Sequence, residues 1–282
     1  IWGLSVFFYK LIDEIPAIEI LAHRALWSMV FFTIILGFKK QNDKIFSNIL
    51  SWKILKIYVL ATVLISINWF GFIYSIQVDK VTQASFGYFI FPIIAVFLGY
   101  FFNKERFSSL QTAAIALALV SVFLLGYGLA EVPYISIILA VTFGFYGLIK
   151  GKISHNPIVS VGTETTLVAP LALGFIIYVR EPHVGTEFLA GYSVKQFTLL
   201  ITSGFLTALP LILFSTAVQS LRYSTVGLIN YVNPTLQFVI AVFILNEEFG
   251  LLHFTAFLLI WVGLLFYSLE AFRWDSNRRD II

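Results

Sequence analysis

The sequence contains no cysteine, which excludes disulfides and thiolate metal sites. Charge is scarce too. Only 12% of residues are Asp, Glu, Lys or Arg, against about 25% in soluble domains. The small excess of base, a formal net charge of +3, is spread over short segments, so it forms no patch for nucleic acid. A Gly-rich phosphate loop, a nucleophile elbow and zinc-ligand spacing are all missing. The chain therefore reads as neither an enzyme nor an ATP-driven pump, and no cofactor or metal is expected. What fills the sequence is apolar, with 59% of residues hydrophobic. That is more than a soluble core uses, and in lipid the backbone must satisfy itself as helix. The expected fold class is an all-α integral membrane protein.

Two apolar runs organise the chain, Val81 to Phe102 and Tyr223 to Leu245, each interrupted by one proline. The step from Pro92 to Pro234 is 142 positions. The same step carries Gln77 onto Gln219, Glu105 onto Glu247, Phe107 onto Phe249, Leu110 onto Leu252 and Ala114 onto Ala256. A fixed offset held over several segments is an internal repeat. Ten spans fit it: Ile1–Ile12, Ala17–Phe38, Ile54–Ile76, Val81–Phe102, Ser108–Gly126, Tyr134–Ile149, Ile158–Val179, Lys195–Val218, Tyr223–Leu245 and Leu251–Phe272. At ~1.5 Å per residue the first is too short for a ~30 Å core, so residues upstream of Ile1 are expected. The domains expected are 1–127, the first repeat, and 128–282, the second repeat with a basic tail. Polar loops are expected at Lys39–Trp52 and Lys150–Pro157.

Five spans per copy is an odd number, so duplication makes the second copy run inverted in the membrane. With both termini cytoplasmic, 13 of the 18 Lys and Arg fall on the inner side and four outside, and Arg24 lies within a span. The positive-inside rule selects that orientation. The expected location is the cell (inner) membrane.

Site candidates follow from polar residues in apolar helices. Gly227, Asn230, Tyr231 and Pro234 share one helix face by their spacing. Ser85, Tyr88, Phe89 and Pro92 share the equivalent one. Asn68 and Trp69 fall in mid-span. Asn68, Trp69, Tyr88, Asn230 and Tyr231 are expected to line one central space that binds substrate. Pro92, Pro210 and Pro234 remove backbone donors and are candidate hinges, or static kinks. Charge inside a bilayer is costly, so Glu19, His23 and Arg24 should face the bundle interior. His23 and Arg24 are candidates to bind substrate and Glu19 to carry a proton. Alternatively Glu19 sits at the interface, and Arg24 snorkels or ties helices together. Glu164 stands alone in an apolar helix. It is either the proton carrier or the partner of Arg24. Glu105 and Glu247 follow Asn103 and Asn246, and each is expected in the first turn of its own helix, where the dipole favours an anion.

Several stretches carry a family resemblance. They are Ile1-Trp2-Gly3, Glu19 to Arg24, Asn68-Trp69, Ala84 to Ile90, Phe145 to Leu148 and Tyr231-Val232-Asn233-Pro234. Together with the repeat, these resemble the drug/metabolite transporter superfamily, in its EamA-type, RarD-like branch. One position departs: Phe91 precedes Pro92 where the family often has Asn. The resemblance implies two inverted five-helix EamA-type repeats and transport by alternating access, and it adds Asn233 to the substrate-facing set. It leaves the substrate open, because the branch is tied to chloramphenicol sensitivity by name. The expected function is secondary transport, as an exporter, of a small polar or amphipathic metabolite or drug. Partners would be that solute, lipid and protons, with the protein a monomer or homodimer. The alternative is a non-transporting assembly protein whose buried polar groups only join helices.

Overall fold

The structure is a computed structural model and describes residues 2–127, 132–180, 192–236 and 250–279. Every regular element among them is helical. After a 3-10 turn at Trp2–Leu4 come α1 (Ser5–Lys10), α2 (Ala17–Phe38), α3 (Asn42–Leu50), α4 (Trp52–Gln77), α5 (Val81–Asn103) and α6 (Ser109–Tyr127). The second half contributes α7 (Tyr134–Lys152), α8 (Pro157–Arg180), α9 (Val194–Ser220), α10 (Tyr223–Ile229) and α11 (Leu251–Arg279). Among the described residues, eight helices are long and apolar enough to cross a bilayer: α2, α4 to α9 and α11. The other two expected spans are α1, six residues long, and the ninth, which runs beyond the described residues after 236. Glu247 and Phe249 also lie outside them. The expected loop Lys39–Trp52 contains α3, and Lys150 sits inside α7 rather than in a loop.

The two proline-bearing runs differ. α5 continues through Pro92. The ninth span breaks into a turn at Asn230 and Tyr231 and is helical again at 232–236. Pro234 has no N–H for the carbonyl one turn back. That carbonyl, of Asn230, instead accepts from the Asn233 N–H at 3.0 Å.

The chain forms two compact units, Ile1–Val81 with Phe145–Ser220, and Thr82–Gly144 with Leu221–Ile282. Each draws a segment from either side of residue 127. The first unit holds α1 to α4, α8, α9 and the end of α7. Leu36 clusters with Val159, and Ala22 and Ala25 cluster with Ala172 and Ile176. As residue numbers rise in α2 they fall in α8, so these two helices, related by the 142-residue step, pack antiparallel. In the second unit α6 and α11 do the same. The Ser121 hydroxyl donates to the Ala256 carbonyl at 2.8 Å. A Cβ on Gly263 would stand 3.1 Å from the Ala114 carbonyl. Residue 263 is 121 shifted by one repeat, and 256 is 114 so shifted, so the two contacts are reciprocal. Close backbone approach of this kind is how helices associate in lipid.

The repeat also fixes the ends of helices. Gln77, at the end of α4, donates to the carbonyls of Asp13, at 3.3 Å, and Ile15, and accepts from the Ala17 N–H at 2.8 Å. Gln219, at the end of α9, donates to the His155 carbonyl at 3.1 Å. Asp13 and His155 are themselves one repeat apart.

Glu105 differs from expectation. α5 ends at Asn103 and α6 begins at Ser109, so Glu105 lies between helices. Its carboxylate accepts from the Tyr223 N–H at 2.7 Å, the Ser224 N–H at 3.3 Å and the Ser224 hydroxyl. It caps the start of α10 instead of α6. Orphan N–H groups attract an anion from any element that can reach them, which residue order along one segment does not reveal.

Candidate functional site

Two charged clusters lie inside the first unit. The first is built on α2. Glu19 and His23 are one turn apart and buried. They share Tyr192, whose hydroxyl donates to Glu19 and lies 3.1 Å from His23 Nε2. Arg24, 5% exposed, places its guanidinium 4.5 Å from the ring centre of Trp69 on α4 and 5.6 Å from that of Tyr9 on α1. Such cation–π contacts strengthen as water is excluded. Asn68, beside Trp69, is buried as well. The structure thus gathers Glu19, His23, Arg24 and Trp69 in one unit, with Tyr192 and Tyr9 as partners the sequence did not nominate.

The second cluster centres on Glu164 of α8. Its partner is Lys150, at 2.8 Å, with side chains 0% and 3% exposed respectively. Glu164 therefore does not stand alone, and its ion-pair partner is Lys150 and not Arg24. The antiparallel register explains why: Arg24 lies level with the Ala172 region, eight residues beyond Glu164, or about 12 Å along the helix. Tyr146 donates to the other Glu164 oxygen at 3.0 Å. Lys150 also donates to the Ser160 hydroxyl at 2.5 Å. Tyr146 and Lys150 are i, i+4 on α7, Ser160 and Glu164 are i, i+4 on α8, and the two pairs face each other. Tyr58 of α4 stands beside Ser160. Its hydroxyl lies 2.9 Å from His155 Nδ1, with the rings stacked at 6.2 Å. Lys150 was missed because it reads as the basic end of a polar loop. The signal was available: an isolated Glu in an apolar span needs a cation, and Lys150 lies at the end of the preceding span.

The second unit holds the remaining candidates. The Tyr231 hydroxyl donates to the Phe89 carbonyl at 3.2 Å, so two residues one repeat apart touch. Both rings are buried in an apolar cluster with Phe257. The Asn230 amide donates to the Val226 carbonyl at 2.8 Å, and the Asn233 amide to Asn230 Oδ1 at 3.2 Å. Tyr88 is half-buried, and Pro92 and Pro234 are buried. Gly227 packs on α5, where a Cβ would come 3.2 Å from the Pro92 carbonyl. Pro210 lies buried inside α9 of the first unit.

The comparisons agree with this architecture. The model of the EamA-like transporter family matches residues 1–127 and 133–269. A Bacillus subtilis protein named Uncharacterized transporter YojE is 35% identical over 99% of this chain and 93% of its own length. Protein RarD of Escherichia coli is 32% identical over 96% of this chain and 91% of its own. A solved crystal structure matches with a TM-score of 0.69 over 96% of this chain and 94% of that chain, at 13% identity, and so shares the fold. Helices of bilayer length, two matched segments and relatives aligned along nearly the whole chain lead to one conclusion: this multi-pass membrane protein belongs to the EamA-like transporter family, in the RarD branch of the drug/metabolite transporter superfamily.

Proposed function

We propose that this transporter moves a small polar or amphipathic metabolite or drug out across the cell (inner) membrane by alternating access. The observation that carries the reading is the burial of Arg24, Lys150 and Glu164 inside helices of bilayer length. Ionisable groups are expensive there and mark the paths of substrates and ions. Arg24, set between Trp69 and Tyr9, is the candidate contact for the substrate. His23, Asn68, Tyr88, Phe89, Asn230, Tyr231 and Asn233 complete the candidate set, with Pro92, Pro210 and Pro234 as hinges and Glu19 as a second coupling group. Ten spans in two inverted repeats, with cytoplasmic termini, make up the proposed topology. The antiparallel packing of α2 with α8 and of α6 with α11 supports it.

Counterflow into proteoliposomes, screened with amino acids, nucleoside derivatives and phenicol drugs, tests the function. The expected result is saturable counterflow of one class, lost in Arg24→Gln. Counterflow of no solute would favour an assembly protein.

A further inference from the structure

The repeat supplies an internal control for the buried charges. Shifted by one copy, Lys150 corresponds to Phe8, Glu164 to Ala22, Ser160 to Ile18, Tyr146 to Leu4 and Tyr58 to Leu200. The other copy builds the same helices with apolar residues at all five positions. The scaffold therefore does not need a charge there. A buried ion pair is poor cement in any case, since well-packed apolar residues of similar volume do as well or better. Something other than folding accounts for the polar cluster.

Its hydrogen bonds form two links, Glu164–Lys150–Ser160 and Tyr58–His155, which adjoin at Ser160 and Tyr58. Lys150 donates to both Glu164 and Ser160. Ser160 stands beside Tyr58, and the Tyr58 hydroxyl meets His155 Nδ1 at 2.9 Å. His155 is half-buried in the segment between α7 and α8, and Gln219 holds its carbonyl. The path runs from a group outside the helices to a carboxylate buried within them. Besides Lys150, Tyr146 of α7 faces Glu164 and donates to it at 3.0 Å, and the other neighbours named by the contacts are uncharged. α2 and α3 present Phe32, Leu36 and Ile45 to α8 at Gly162, α9 stacks Phe214 on the Tyr146 ring, and Asn48 of α3 bonds Thr163.

We propose that Glu164 is a proton-carrying site and that Lys150, Ser160, Tyr58 and His155 form the relay that loads and unloads it. The inference rests on the transport reading and names the coupling ion. Loading moves one proton per link. The Lys150 ammonium gives a proton to Glu164, forming the carboxylic acid and a neutral amine. The amine takes the Ser160 hydroxyl proton, Ser160 takes that of Tyr58, and Tyr58 takes one from protonated His155. Lys150 ends as ammonium, both hydroxyls are restored, His155 is neutral, and one proton has moved from His155 to Glu164. A histidine suits the entry point because its imidazole both accepts and donates a proton, whereas a guanidinium only donates. Lysine differs from arginine in giving up its proton readily when buried.

Infrared difference spectra of the reconstituted full chain test this, with the buffer stepped down through about pH 8 to 5. The wild type should gain a protonated-carboxyl band that Glu164→Gln lacks. The double variant Lys150→Phe/Glu164→Ala copies the residues of the other repeat, and it should fold and also lack the band. Tyr58→Phe keeps the ring but breaks the path; it should slow the band by about tenfold, the rate equivalent of one hydrogen bond. A band kept in both Glu164 variants, no band in the wild type, or an unslowed band in Tyr58→Phe would each overturn the proposal. No solute enters these spectra, so their failure and that of the counterflow screen are separate results.

Discussion

The Arg24 and Lys150 clusters occupy the same unit but hold charge in different ways. Arg24 lies over aromatic faces on α1 and α4. Lys150 meets a carboxylate at ion-pair distance. Guanidinium stays ionised under all ordinary conditions, while a buried lysine can exchange its proton. The first arrangement is suited to holding a fixed positive charge, the second to passing a proton to a neighbour. Neither is repeated in the other copy. Glu19, His23, Arg24 and Trp69 correspond to Val161, Thr165, Thr166 and Leu211. The scaffold around them is repeated, with α2 antiparallel to α8 and with Gln77 and Gln219 at matching places. Symmetric packing and asymmetric chemistry coexist because apolar contacts in lipid tolerate exchange of similar volumes, whereas each buried charge needs its own partner.

Substitutions can break this comparison. The largest effect should come from Glu164→Ala, which leaves the Lys150 ammonium buried without its carboxylate. Unfolding in detergent should show a loss of about 3–5 kcal/mol. Adding Lys150→Phe should return most of it, because the other repeat packs Phe8 and Ala22 at these places. If the double variant is as unstable as the single one, the pair serves the fold and the contrast with Arg24 fails. Next comes Trp69→Leu, which copies Leu211 and removes the ring nearest Arg24. Melting measurements should report a loss of about 2 kcal/mol. An unchanged melt would mean that the ring contributes nothing to holding Arg24. The smallest effects sharpen the symmetric side. Gln219→Ala, which loses one hydrogen bond, should cost about 1 kcal/mol, and Gln77→Ala, which loses three, should cost more. A loss at Gln77 no larger than at Gln219 would show that the additional bonds of Gln77 add nothing.

Much of this was legible in the chain. Apolar spans are read from composition because lipid leaves the backbone no other partner. The 142-residue step was legible because it acts on prolines, glutamines and glutamates, which stand out among apolar letters. Glu19, His23, Arg24 and Glu164 were legible because charge in a span is rare. The partners were not. Arg24 with Glu164 looked reasonable until the α2–α8 register set them about two turns apart. Lys150, Tyr58 and His155 come from three segments, and only packing brings them to Ser160 and Glu164. Glu105 was recognised as a capping anion, yet it caps α10, whose start is 118 residues away from it in the chain.

The most direct measurement is the ratio of pH-driven flux to counterflow, taken in the same proteoliposomes with the solute that the counterflow screen identifies. The variant is Lys150→Phe/Glu164→Ala. Counterflow should persist, since Arg24 and its aromatic partners are untouched, while flux driven by a pH gradient should fall to the level seen without one. A double variant that keeps the wild-type ratio would show that protons pass elsewhere and that the Lys150–Glu164 pair is not the coupling site.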